Sequence, residues 1–151
     1  EGTEAAGGVD LTVGLGGSGR SAGALQRPHV RVLPYAEQLE VLAGSDLFIT
    51  HQGLNSTHEA IASLTPMLSL PFFADQPGLS AKAEGLGIAM PLVRGMSGQD
   101  GRLTATQVAA AIAAVRARHD QLQASVAEAR QWELEVIRQR PATIRQMLAL
   151  S

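Results

Sequence analysis

Short apolar runs of strand length alternate with helix-patterned segments along the chain, and this order predicts an α/β fold. Strands joined by helices pack back on a parallel sheet. The sheet should therefore carry helices on both faces, with a long helical C-terminus closing the chain. Size and composition agree with one compact domain. Of 151 residues 45% are apolar, and scarce aromatics (3%) with abundant Ala and Gly fit close helix-on-sheet packing.

Residues 1–8 are small and polar and read as a flexible end, after which residues 9–15 (VDLTVGL) form the first expected strand. A loop over 16–27 leads to β-branched alternation at 29–33, the second strand. Residues 36–43 place Leu39, Leu42 and Ala43 on one helical face, and Gly44 ends that helix. The run 47–50 (LFIT) is apolar enough to be buried on both faces. A helix over 55–64 follows, then a strand over 67–70 bounded by Pro66 and Pro71, and a helix over 77–84 closed by Gly85 and Gly87. Residues 88–93 read as an edge strand, because Pro91 cannot donate to a ladder. After a polar loop over 94–102, Thr104 and Gln107 stand at capping-box spacing and start a helix over 107–118. Helical character resumes over 120–140 until Pro141 interrupts it, and a short helix over 143–150 ends the chain.

The formal net charge is −2 and the only lysine is Lys82, so the basic surface expected of a nucleic-acid or anionic-membrane partner is missing. Absence of cysteine excludes disulfides, thiolate zinc sites and thiol catalysis. No apolar stretch reaches the roughly 20 residues needed to span a bilayer, and no signal pattern opens the chain. The expectation is a soluble, cytoplasmic protein. Because the first methionine is Met67, the chain is expected to be a fragment or to have had earlier residues removed.

In parallel sheets ligands bind beyond the carboxyl ends of the strands, which directs attention to the residues after Val13, Thr50 and Leu70. The stretch Gly14-Leu-Gly16-Gly17-Ser18-Gly19 is a literal G-x-G-x-x-G, but Pro28 leaves too little chain for the helix a dinucleotide fingerprint opens. It is read as a loop. After Thr50, His51-Gln-Gly53-Leu-Asn55-Ser56 leads a strand directly into a helix N-terminus, where free amides and the helix dipole favour a phosphate. Gly53 permits close approach and His51 can donate to a phosphate oxygen; a strand-end histidine held by backbone is the alternative. Ser56 and Glu59 (S-x-x-E) also satisfy a capping box that needs no ligand. After Leu70, Asp75 and Gln76 either cap the next helix or offer the acceptors and donors that sugar hydroxyls require.

Together these residues resemble the donor-binding segment of UDP- and TDP-sugar-dependent glycosyltransferases that act on small molecules, including plant secondary-product and bacterial antibiotic enzymes. The family's H-x-G-x-N-S-x-x-E is met by His51, Gly53, Asn55, Ser56 and Glu59, and its D-Q pair by Asp75-Gln76 at the family's spacing. Pro66 and Pro71 match as well, and the W-x-P-Q element stands as Tyr35-Ala-Glu37-Gln38. The match covers roughly residues 30–94. Tyr35 replaces the family's Trp, Glu37 its Pro and Leu79 its Asn.

The resemblance implies a Rossmann-like C-terminal half of a GT-B fold. It places Tyr35 and Gln38 at the base, Glu59 at the ribose, His51, Gly53, Asn55 and Ser56 at the diphosphate, and Asp75 with Gln76 at the sugar. It implies an inverting, metal-independent transfer from a UDP- or TDP-sugar to a natural-product acceptor, with no cofactor and no metal ligand. The acceptor and general base would belong to an N-terminal domain absent here, so no catalytic residue is expected in this chain and the isolated chain should be inactive. Residues 9–151 would form the donor domain, lacking one βα unit on its N-terminal side. Two rivals are a non-catalytic nucleotide-sugar-binding subunit and a GT-B nucleotide-sugar epimerase. His29, His58 and His119 show no partner pattern and are expected on the surface, and Trp132 in the core or at an interdomain contact.

Overall fold

A computed structural model describes residues 8–16, 23 and 26–149. The expected flexible end and most of the glycine-rich loop lie outside the described residues. Among the described residues five short strands and five helices follow one another as β1 (Leu11–Gly14), β2 (Val30–Leu33), α1 (Gln38–Leu42), β3 (Phe48–Thr50), α2 (Leu54–Ala62), β4 (Met67–Ser69), α3 (Gln76–Gly85), β5 (Ala89–Pro91), α4 (Ala105–Arg116) and α5 (His119–Ala149). The predicted order holds as far as α5, with strands shorter by one or more residues than the apolar runs that signalled them.

All three ladders between strands are parallel, but among the described residues the strands form two sheets where one was expected. β1 pairs β2, with Leu11 opposite Val30, and β4 lies between β3 and β5, with Leu68 opposite Ile49 and Met90. No ladder joins β1 to β3 among the described residues. Pro91 sits in β5 at the sheet edge, where its missing N–H leaves no ladder bond unmade.

Successive residues of β4 point to opposite faces and each enters its own apolar cluster. Met67 packs with Ala60, Ile61, Ala83, Ile88 and Val126; Leu68 packs with Leu92, Ile112, Val115 and Leu122. Helices α2 and α3 thus cover one face and α4 the other, while α5 contributes to both. Thr104 begins α4 with a complete capping box, its side chain accepting from the Gln107 N–H at 3.2 Å.

Helix α5 corrects the expected break at Pro141 and removes the core alternative for Trp132. It runs through Pro141 without a break. Proline's φ is compatible with a helix, and the carbonyl it leaves unpaired lies where every residue is exposed, so solvent meets the cost. Trp132 is 66% exposed and therefore lies outside the core. The histidines have partners that sequence spacing does not reveal. The His58 Nδ1 lies 2.6 Å from the Glu133 carboxylate, tying α2 to α5, and His29 lies 3.0 Å from Asp10. His58 and His29 are exposed as expected, and His119, half-buried, is 3.8 Å from Asp120.

Candidate donor-binding site

β3 delivers the chain to α2 through His51, Gln52 and Gly53. Gln52 takes a left-handed backbone (φ 64°) and is fully buried, while His51 on one side of it stays exposed. Gly53 is the N-cap of α2, with no side chain capping the helix. The first intrahelical bond runs from the Thr57 N–H to the Gly53 carbonyl (2.9 Å). The N–H groups of Leu54, Asn55 and Ser56 therefore precede the helical ladder. No acidic residue stands in that first turn, so the positive end of the helix dipole is left for an external anion.

The imidazole of His51 folds over Gly53, so close that a Cβ built there would lie 2.7 Å from Nε2. Glycine is needed for this approach and not for its φ, which is ordinary at −68°. Alanine at Gly53 should displace the His51 ring without unfolding the chain. Calorimetry should then register a loss of diphosphate affinity of about tenfold, roughly 1.4 kcal/mol.

The capping-box reading of Ser56 and Glu59 is overturned, because the helix starts earlier and Ser56 lies inside its first turn. Both side chains instead meet Gln38 at the start of α1. Its Nε2 donates to Glu59 Oε2 at 2.5 Å and to Ser56 Oγ at 3.2 Å. The fold brings these three half-buried residues together from two helices, an arrangement that capping does not require. Glu59 keeps an oxygen that Gln38 does not engage.

The next turn, between β4 and α3, also bends through a left-handed residue, Ala74 (φ 57°). Asp75 occupies the N-cap of α3, yet its carboxylate caps nothing and remains exposed. Gln76 is buried at 8% exposure, and its Oε1 accepts from the Phe72 and Phe73 N–H groups at 2.9 and 3.2 Å. That oxygen braces the turn, which leaves the Nε2 as the group able to serve a ligand. Gly98 completes the support: its N–H donates to the Pro71 carbonyl at 2.8 Å, and its lack of a side chain makes room for the Phe72 ring.

Because β3 and β4 are parallel, the two turns share one end of the sheet. Tyr35, 70% exposed between β2 and α1, borders a cleft of about 520 Å³ with Arg31, Glu37 and Glu40. That cleft contains none of the residues on the two turns. The turns themselves are open to solvent, with His51, Asn55 and Asp75 all exposed. Among the described residues no group of three or more His, Asp or Glu side chains is placed to hold a metal ion. No helix among them is long and apolar enough to cross a membrane.

Residues 19–117 match the family model for UDP-glucoronosyl and UDP-glucosyl transferases, a span that encloses Tyr35, Gln38, Glu59, Asp75, Gln76 and both turns of the candidate site. Oleandomycin glycosyltransferase from Streptomyces antibioticus is 39% identical over 64 residues, 42% of this chain and 15% of that protein. UDP-glucuronosyltransferase 3A1 from Mus musculus is 38% identical over 69 residues, 43% of this chain and 13% of the mouse protein. The chain therefore spans only a small part of these relatives. Among solved structures, a glycotransferase of kitacinnamycin aligns with TM-score 0.67 and 28% identity over 80% of this chain and 30% of its own. Os79 from O. sativa, in complex with UDP and deoxynivalenol-3-glucoside, aligns with TM-score 0.58 and 30% identity over 69% of this chain and 24% of its own. With the family model covering well over half its length, the chain belongs to the UDP-glucuronosyl and UDP-glucosyl transferase family.

Proposed function

We propose that this chain is the donor-binding part of an inverting, metal-independent glycosyltransferase that moves a sugar from a UDP- or TDP-sugar to a small natural-product acceptor. The observation that carries the reading is the meeting of Gln38, Ser56 and Glu59 beside an uncapped helix N-terminus faced by His51. Glu59 accepts from a ribose hydroxyl. The diphosphate sits on the amides of Leu54, Asn55 and Ser56, with His51 Nε2 donating to it. Tyr35 and Gln38 border the base. At the sugar, the exposed Asp75 carboxylate accepts from hydroxyls while Gln76 acts through its Nε2 as a donor, its oxygen being held by backbone.

In the reaction the acceptor oxygen forms a bond to the anomeric carbon as the bond to the diphosphate oxygen breaks on the opposite face, which inverts the centre. The acceptor proton goes to a base outside this chain. The helix terminus and His51 stabilise the charge that develops on the departing diphosphate. Two features support a donor unit that packs against further structure such as an acceptor domain: among the described residues no ladder joins β1 to β3, and Trp132, Ile137, Ile144 and Leu148 of α5 are exposed apolar residues. Residues 9–151 then constitute the donor unit of a cytoplasmic enzyme, inactive in isolation.

Incubation of the full-length protein with a UDP-sugar in excess EDTA tests the assignment. UDP should appear only when an acceptor is added, with no loss of rate from chelation. Conversion of the donor sugar without acceptor would identify an epimerase instead. Absence of turnover by the full-length protein, with donor binding intact, would identify a binding subunit.

A further inference from the structure

Gln52 falls between His51 and Gly53, and the sequence gives it no role. In the structure it is a polar side chain with no exposure at all, on a left-handed backbone that a non-glycine residue adopts at a cost of order 1 kcal/mol or more. The reversal has a geometric consequence. Gln52 is turned inward while its neighbour His51 remains at the surface over the N-cap of α2.

The buried amide closes a chain of contacts around the turn. Gln52's own N–H donates to Thr50 Oγ1 at 3.1 Å, anchoring it to the end of β3. Its Nε2 donates to Thr57 Oγ1 at 3.1 Å and approaches Met67 Sδ of β4 at 3.2 Å. Thr57 Oγ1 in turn donates to the Gly53 carbonyl at 2.9 Å, the same carbonyl that receives the Thr57 N–H. Strand end, turn and first helical turn are thus linked through one side chain. The Gln52 Oε1 has no partner among the described residues, which a purely structural residue would not favour.

We infer that Gln52 is a positioning residue for the diphosphate subsite, fixing the His51 ring over Gly53 and the amides of Leu54, Asn55 and Ser56 in one direction. This rests on the donor-site reading above. Gln52 touches no ligand; it acts through the geometry of the turn. The unpaired oxygen gives the inference a distinctive consequence. An apolar side chain of similar shape removes a buried unsatisfied acceptor, so stability is nearly conserved while the clamp is lost.

The test uses the 151-residue chain as wild type, Gln52→Met and Thr57→Val, with Thr57→Ser as the conservative control that keeps the hydroxyl. UDP affinity is read by calorimetry and the exchange rate of the Thr57 amide by NMR, against the Leu68 amide of β4 as reference. Gln52→Met and Thr57→Val should each lower UDP affinity about tenfold, a loss of roughly 1.4 kcal/mol. Thr57 exchange should quicken by a similar factor while Leu68 exchange is unchanged, and Thr57→Ser should behave as wild type. Affinity and Thr57 exchange within twofold of wild type in both variants would overturn the inference. Weaker binding without faster exchange would overturn it too, as would equal acceleration of Leu68, which would make Gln52 a general stability residue. Failure of the wild type to bind UDP would refute the donor-site reading, whereas the Thr57 exchange rates would still decide whether the clamp exists.

Discussion

Alanine at Glu59 should weaken UDP binding by roughly 10- to 150-fold, the equivalent of the 1.5–3 kcal/mol that a hydrogen bond to a charged group contributes. The carboxylate is fixed from one side by the Gln38 amide at 2.5 Å and has an oxygen left to accept from a ribose hydroxyl. Truncation removes that acceptor and releases Gln38 as well, leaving its amide only the weaker bond to Ser56. Glutamine at Glu59 should fall between the two, because it keeps an acceptor and loses the charge. Titration calorimetry with UDP and with free pyrophosphate separates the contributions. Glu59→Ala should leave pyrophosphate binding nearly intact, since that half of the ligand sits on the amides of α2. Equal losses for both ligands would place Glu59 at the diphosphate instead of the ribose.

Leu68→Ala should be the most damaging core substitution. The side chain is fully buried in the central strand of the three-stranded sheet and packs against Leu92, Ile112, Val115 and Leu122. Such truncations cost about 2–5 kcal/mol, a large part of the 5–15 kcal/mol by which domains are usually stable. For a chain of this size the melting temperature should drop on the order of 10 °C. Urea unfolding should show a lower midpoint at an unchanged slope. A loss below about 1 kcal/mol would mean that α4 and the start of α5 do not close on that face.

The sequence displays the elements more clearly than their arrangement. β4 is legible because Pro66 and Pro71 bracket an apolar run, and α4 because Thr104 and Gln107 stand at capping distance. The separation of β1-β2 from β3-β4-β5 is not legible, since ladder bonds are made by backbone groups that all sequences share. Pro141 misleads for a related reason: proline is costly inside a helix only where its lost bond is not replaced, and the described residues around it in α5 are exposed to solvent. The site shows the same division. Local spacing makes Ser56 and Glu59 a capping box, and only the fold, by bringing Gln38 across from α1, reveals another use. Asp75 matches a cap in position but not in bonding, whereas Gln76 serves the turn through one atom and leaves the other available. Gln52 carried no signal, because its importance follows from a left-handed φ and complete burial.

The central claim is that the end of the sheet bearing His51 holds the diphosphate of a nucleotide-sugar. Calorimetric titration of this chain with UDP, TDP and their sugars, repeated with His51→Ala, tests it most directly. The account predicts saturable one-to-one binding by the wild type. His51→Ala should weaken it by at least about tenfold, matching one lost bond to a charged oxygen, with unchanged thermal stability because the ring lies at the surface. A chain that binds none of these nucleotides, or a His51→Ala variant that binds them as tightly as the wild type, would contradict it.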